Sequence, residues 1–431
     1  MTSTPVGRSP SPWEAPALVV RTVEVEDAGN LLALLPADAP NDELVTWVRR
    51  GDGLVGWGEA ACVRTCGPDR FLDAQRWWHD VVAAAVVRDP LQLPGSGLVA
   101  FGSFAFADAP GDSVLRVPRV VVGRRDGRTW VTRVGVSSIS RTLGVLPSAE
   151  PRPPEDVYFA DGALDGPQWE SVVAEAVRRI GRGHLEKVVL ARDLVARAPA
   201  PLDVRWPLRQ LARDYPTCWT FAVDRLFGAT PEMLVRRERG LVTSRVLAGT
   251  IRRTGDDAHD LELAARLARS SKDLEEHEYA VRSVADALAP HCTSMNVPEA
   301  PFVLHLPNVM HLATDVAGVL DPEDDPVTTS LELAAALHPS AAVGGTPTQD
   351  AIALIAELEG MDRGRYAGPV GWLDASGDGE WGIALRSGLL SETGDSVRLF
   401  AGCGIVADSD PADELAEAQA KFVPVRNALN P

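Results

Sequence analysis

The chain has 431 residues, 45% hydrophobic and 24% charged, which is enough length and apolar content to bury a large core. A formal net charge of −18 argues against nucleic acid and anionic membrane surfaces as partners, and it obliges any anionic substrate to meet local positive charge inside its site. Cys62, Cys66, Cys218, Cys292 and Cys403 are odd in number and scattered, which fits a reducing cytosol better than a disulfide framework or structural zinc, and no apolar run is long enough to span a bilayer.

Residues 1–16 are polar, rich in proline and serine, and expected to form a disordered tail without a signal-peptide core. Residues 17–150 read as the N-terminal half of the fold. Strands are expected over LVVRTVEV and GLVGWGEAACV, a helix over 71–87 with Trp77 and Trp78 in its packing, then a sheet with a hairpin at Asp126–Gly127. The proline-rich stretch 147–156 reads as a linker to a catalytic region over 155–430.

That region opens with an amphipathic helix carrying Trp169, Val172, Val173, Ala176, Val177 and Ile180 on one face and ending at Gly181 and Gly183. A strand carrying Lys187 follows, then a helix over 204–215 and a strand. Pro231 and Glu232 mark a turn before a further strand that ends at Gly249. The segment 270–288 is a helix with a buried seam of Leu274, His277, Val281, Val284 and Leu288, and Asp273 and Glu276 lie beside it at i, i+3. A helix over 329–337 stops at His338–Pro339, and Thr346 to Gln349 reads as a capping box opening a helix that runs to Gly360. The stretch 367–406 is expected to be an antiparallel meander. Asp410 and Pro411 then open a last helix, with Glu414, Glu417 and Lys421 along one face.

Several residues carry a chemical and a bland reading side by side. Glu414, Glu417 and Lys421 form either a solvated ion-pair ladder or half of a metal site whose other half is Asp273 and Glu276; carboxylates from two helices suit Mg²⁺. Gly402, Gly404 and Ala407 match GxGxxA, but a dinucleotide fold has no room before Pro431. Lys187, in the apolar run KVVLA, is either a base made by burial or a strand lysine whose head reaches water. Glu232 either does chemistry or favours a helix dipole at a strand-to-helix turn. Arg386, alternating with Leu385 on a strand, is either exposed or poised for a carboxylate, and His338 reads as a helix-end cap.

Taken together, EKVVLAR, GATPEML, LAGT, SSKDLEEHE, MHLAT, LHPSAAVGGTP, GPVGWLD, GEWGIALR, RLFAGCGIV and the final E-x-x-E-x-x-x-K resemble the chorismate-utilising enzymes, and among them the isochorismate synthases. The resemblance covers residues 155–425 in the family's order. It implies an α+β fold, a single large body of stacked antiparallel sheets flanked by helices with the site in a cleft, so that 147–156 becomes a connection. It implies Glu276 and Glu417 as Mg²⁺ ligands, supported by Asp273 and Glu414. It implies Lys187 as the base that activates water and Glu232 as the acid that protonates the leaving hydroxyl of chorismate. Arg386, Gly402 and Lys421, with Gly249, Thr250 and Ala342, would bind the substrate, and His338 and Tyr366 would contact it. Lys187, Ala248, Ala342 and Thr348 each differ from what the anthranilate, aminodeoxychorismate or salicylate synthases usually carry. Tyr366, Val343 and Cys403 depart from the usual isochorismate pattern, and Tyr366 keeps a salicylate-forming lyase open as the alternative. The resemblance further implies a cytoplasmic monomer with no obligate glutaminase subunit.

Overall fold

Two runs of paired strands share the strand Ser113–Arg125 and diverge from it. The chain is described by a computed structural model over residues 16–27, 29–136, 147–183, 185–306, 309–321 and 328–430, without the side chains of Lys272 and Glu276. The tail expected over residues 1–16 lies almost wholly outside the described residues.

The first run begins at Val19–Val25 and passes through Arg128–Gly135, Ser113–Arg125, Asp52–Thr65, Val45–Arg49, Trp219–Val223 and Leu226–Thr230. It continues through Ser387–Leu390 and Ser396–Ile405 to Lys187–Arg197. The second leaves Ser113–Arg125 through Val99–Ser103, Pro369–Asp374, Gly379–Ile383, Met233–Glu238 and Leu241–Arg252 and reaches Val309–Leu320. All of these pairings are antiparallel. Inward side chains of both runs meet in one apolar cluster, in which Val188, Leu190 and Phe400 of the first join Leu234, Val246 and Ile383 of the second. Burying such side chains, at about 1.5–3 kcal/mol each, is the main force holding the runs together.

The chain crosses between the runs twice near this cluster. Pro231 and Glu232 carry it from Leu226–Thr230 to Met233–Glu238, and residues 384–386 carry it back from Gly379–Ile383 to Ser387–Leu390. The expected meander over 367–406 is therefore broken: Gly379–Ile383 and Ser387–Leu390 belong to different runs. The Lys187 strand and the strand expected to end at Gly249 also differ in fate. The first is as expected; the second bulges at Gly249 and continues to Arg252.

The helices are α1 Arg70–Ala84, α2 Gly166–Ile180, α3 Arg205–Asp214, α4 Asp257–Leu267, α5 Ser271–Leu288, α6 Ser330–Leu337, α7 Thr348–Leu358 and α8 Pro411–Leu429. Their starts are chemical. Asp165 and Gln168 form a capping box for α2, Ser270 caps α5 through Asp273 N–H, and Asp410 accepts from Ala412 and Asp413 N–H at the start of α8. α5 lies on Leu241–Arg252 and Val309–Leu320; α8 lies on Ser396–Ile405, with α2 and α3 beside it. The two acidic helices thus pack on opposite runs.

Three local expectations are corrected. α1 ends at Ala84, and Val86–Arg88 pairs instead as a short parallel strand with Val19–Val25, where the β-branched pair Val86–Val87 suits extended backbone. The capping box at Thr346 does not form, because Thr346 is drawn into a strand pair with Lys187 and α7 begins beyond it without a side-chain cap. α4, capped by Asp256, was not anticipated. The stretch 147–156 is bonded to both sides: Ser148 N–H donates to Ala33 O at 2.8 Å, and Arg205 donates to Ala149 O at 3.1 Å. Among the described residues no helix is long and apolar enough to cross a membrane.

Candidate active site

A cavity of about 210 Å³ opens where the two crossings face α5 and α8. Its walls bring together Lys187, Glu232, Gly249, Thr250, Asp273, Ala342, Tyr366, Arg386, Gly402, Glu414, Glu417 and Lys421, residues scattered over more than half the chain.

Lys187 is the first residue of its strand, paired opposite Thr346, and only 8% exposed. The reading in which its head reaches bulk water is therefore not what burial shows. Gly345, beside it, has φ +141°, and a Cβ there would lie 2.2 Å from Lys187 O, so only glycine lets the two backbones pair. Glu232 sits on the first crossing, 6% exposed, with no helix following it, and the helix-dipole reading falls away. Burial pushes its carboxyl up to about 8, although Lys187, Arg386 and Lys421 all pull it down. At neutral pH Glu232 is thus largely protonated.

Arg386 is not on a strand. It occupies the second crossing at φ +49°, and this backbone turn redirects its half-buried side chain to the cavity wall. Gly249 holds the opposite wall. At φ +76° it forms the bulge in its strand, and a Cβ would meet Asp273 Cβ at 3.2 Å and Leu312 Cδ1 at 3.3 Å, so glycine lets α5 bring Asp273 close. Tyr366 is buried and stacks on Phe400 at 5.0 Å.

The acidic face of α8 is not a solvated ladder. The Lys421 side chain is 13% exposed; its Nζ pairs with Glu417 Oε1 at 2.6 Å and donates to Gly402 O at 2.9 Å. Burial is the strongest single influence and works to lower the ammonium, but the groups around it, Glu417 foremost, together hold Lys421 above the ordinary lysine range. Burial is likewise the strongest single influence on Glu417 and works to raise it, but Lys421, Arg386 and Lys187 together hold that carboxylate low. Glu414, by contrast, is raised by burial, and Ser409 Oγ donates to its Oε1 at 2.8 Å.

The donor set can be tested against a metal. Atoms of Cys403, Glu414 and Glu417 lie within 4.8 Å of one another. The Cys403 thiol is pushed well above its ordinary range by burial and donates to Glu414 O at 3.3 Å, which removes it as a thiolate ligand. Oxygen donors remain: Glu414 and Glu417 from α8 and Asp273 from α5, all on one cavity. Such a set fits a hard cation like Mg²⁺. The Glu276 side chain lies outside the described residues.

One expected contact is not brought to the cavity. His338 Nε2 lies 3.0 Å from Phe106 O, with its ring against Phe71 and Phe106, and burial pulls the imidazole down to about 4. The neutral imidazole is packed among these groups and is not among the residues that line the cavity. Conversely, His311 lines the cavity although no role was assigned to it. Its Nδ1 is 3.0 Å from Thr250 Oγ1, and its buried Nε2 has no partner among the described residues. Burial, with Arg386 and Lys421 adding like charge, pulls it down to about 3, so it is neutral. Only its place in MHLAT signalled it in the sequence.

The chain matches the family description of the chorismate binding enzymes over residues 11–430. It is 42% identical over 272 residues to the isochorismate synthase DhbC of Bacillus subtilis, a match covering 61% of this chain and 67% of that one. It is 34% identical over 444 residues to the salicylate biosynthesis isochorismate synthase of Pseudomonas aeruginosa, covering 97% of this chain and 91% of that one. Among solved structures, the menaquinone-specific isochorismate synthase MenF of Escherichia coli superposes with a TM-score of 0.76 at 27% identity, covering 97% of both chains. With a match that spans nearly the whole chain, this protein belongs to the chorismate-binding enzyme family.

Proposed function

We propose that the protein is an isochorismate synthase, converting chorismate to isochorismate by adding water at C2 as the C4 hydroxyl departs. The observation that carries this reading is the pairing of Lys187 with a protonated Glu232 across one cavity. Hydroxide is a poor leaving group, and a carboxyl raised to about 8 still holds a proton to give it at neutral pH. Lys187 takes the proton from the attacking water. Arg386 and Lys421 supply the positive charge that a multi-anionic substrate needs inside an acidic protein. Gly402, Gly249, Thr250 and Ala342 shape the pocket, with Tyr366 closing one side.

Glu276 and Glu417, supported by Asp273 and Glu414, would hold Mg²⁺. When bound, the cation supplies positive charge for a substrate carboxylate. Formation of salicylate with loss of pyruvate, the alternative that Tyr366 keeps open, is disfavoured by Ala342, which puts a methyl where a lyase-type threonine would bring a hydroxyl. No glutaminase subunit is needed, because water and not ammonia is the nucleophile.

The assignment is tested by Lys187→Ala and Glu232→Gln. Each should lower kcat at least about a hundredfold, the usual scale of general acid–base terms, with chorismate binding changed less than about tenfold. Near-normal turnover in either variant removes that residue from the mechanism.

A further inference from the structure

Beside Glu232 lies a second, much smaller cavity of about 10 Å³, where Glu232, Ser244, Arg245 and Ser340 meet apolar side chains such as Leu234, Val246 and Ile383. Glu232 and Ala342 line this space and the substrate cavity alike, so these two residues form the partition between them. A space of this size holds about one water, provided polar groups converge on it.

They do. Ser340 is only 7% exposed, and its Oγ has no hydrogen-bond partner among the described residues. Its backbone is anchored, because its carbonyl accepts from Val343 N–H at 3.1 Å and Gly344 N–H at 3.0 Å. A buried, unpartnered hydroxyl on a residue that lines this space carries an energetic cost unless something answers it. Ser244 lies on the same wall. Its hydroxyl donates to Leu234 O at 2.6 Å and keeps lone pairs for an incoming donor.

We propose that Ser340 is a positioning residue for Glu232: through one water in the small cavity it holds the far oxygen of the carboxyl and turns the proton-bearing oxygen toward the substrate. The inference rests on Glu232 being the proton donor. The water accepts from Ser340, donates one proton to the far oxygen of Glu232 and the other to Ser244 Oγ, and every buried polar group of the small cavity is then paired. When Glu232 gives up its proton, the same hydrogen bond reaches a carboxylate, where it is stronger. It therefore favours the donated state and eases proton transfer. The charged groups around this carboxyl are Lys187, Arg386 and Lys421 on the substrate side and Arg245 on the wall of the small cavity.

The test is Ser340→Ala, measured in the otherwise native enzyme and in Glu232→Gln. In the native background kcat should fall about tenfold with KM within twofold. The alkaline limb of the kcat profile should move to higher pH, because a hydrogen bond that favours the ionised carboxyl has been lost. In Glu232→Gln the same change should cost nothing further. An unchanged kcat and alkaline limb in Ser340→Ala overturns the proposal while leaving Glu232 as the acid. So does an equal loss in both backgrounds, which would mark Ser340 as merely structural. If Glu232→Gln itself turns over at full rate, the acid assignment fails and this inference falls with it.

Discussion

Glu232 and Arg386 occupy the two crossings by which the chain passes between the strand runs. The crossings are tied together by hydrogen bonds from Ile383 N–H to Glu232 O and from Ala229 N–H to Arg386 O, each 3.2 Å. A buried acid and a guanidinium are thereby fixed on one wall by backbone geometry, and neither depends on a mobile loop. Preorganisation of this kind lets a site stabilise developing charge without reorganising.

Arg386→Lys keeps the charge and removes the planar fork. If the guanidinium grips a substrate carboxylate, kcat/KM should fall by about 1.5–3 kcal/mol, roughly ten- to a hundredfold. Steady-state kinetics on chorismate decides it, and an unchanged kcat/KM would show that Arg386 does not touch the carboxylate.

The Glu232 carboxyl, raised from an ordinary 4.5 to about 8, sets a pH window. The protonated form is the donor, so kcat/KM, which follows the free enzyme's acid, should fall as pH rises through about 8. The stability effect has the same sign: a group whose folded value is raised contributes stability that is present below 4.5 and is lost as pH rises through about 8. Glu232→Gln cannot ionise, so it should lose less stability than the native chain between pH 6 and 9 in thermal unfolding. Parallel stability profiles would contradict the buried-acid assignment.

Much of this was legible in the sequence, and what was not has a physical reason. Strand alternation and helix caps are local, and Asp410 caps the last helix as the sequence predicts, whereas Thr346 is taken up by a strand pair. The crossing at Arg386 is not local. GIALRSGLL reads as one β-rich run, and only pairing to two different neighbours makes the chain turn there. Glu417 and Lys421 looked like a surface pair because i, i+4 spacing says nothing about what covers it; Gly402 and the cavity supply that. His338 does close its helix, as its position implies, but its ring turns to Phe71 and Phe106 and does not line the cavity. His311 is not legible because strand position alone does not show that the residue lines a cavity.

Gly249→Ala tests the wall that brings α5 to the site. A side chain at φ +76° is strained by roughly 1–2 kcal/mol, and the new Cβ would press on Asp273 and Leu312. We expect a loss of about 1–3 kcal/mol in unfolding free energy, together with a higher Mg²⁺ concentration needed for half-maximal activity as Asp273 is displaced. A variant with native stability and native metal response would show that the close approach carries no weight.

The most direct test of the account is the product itself. Purified protein is incubated with chorismate and Mg²⁺, with a parallel sample in EDTA, and the products are separated by chromatography. The account predicts isochorismate as the main product with Mg²⁺ and little turnover in EDTA. Salicylate and pyruvate as the main products, or full-rate turnover in EDTA, would contradict it.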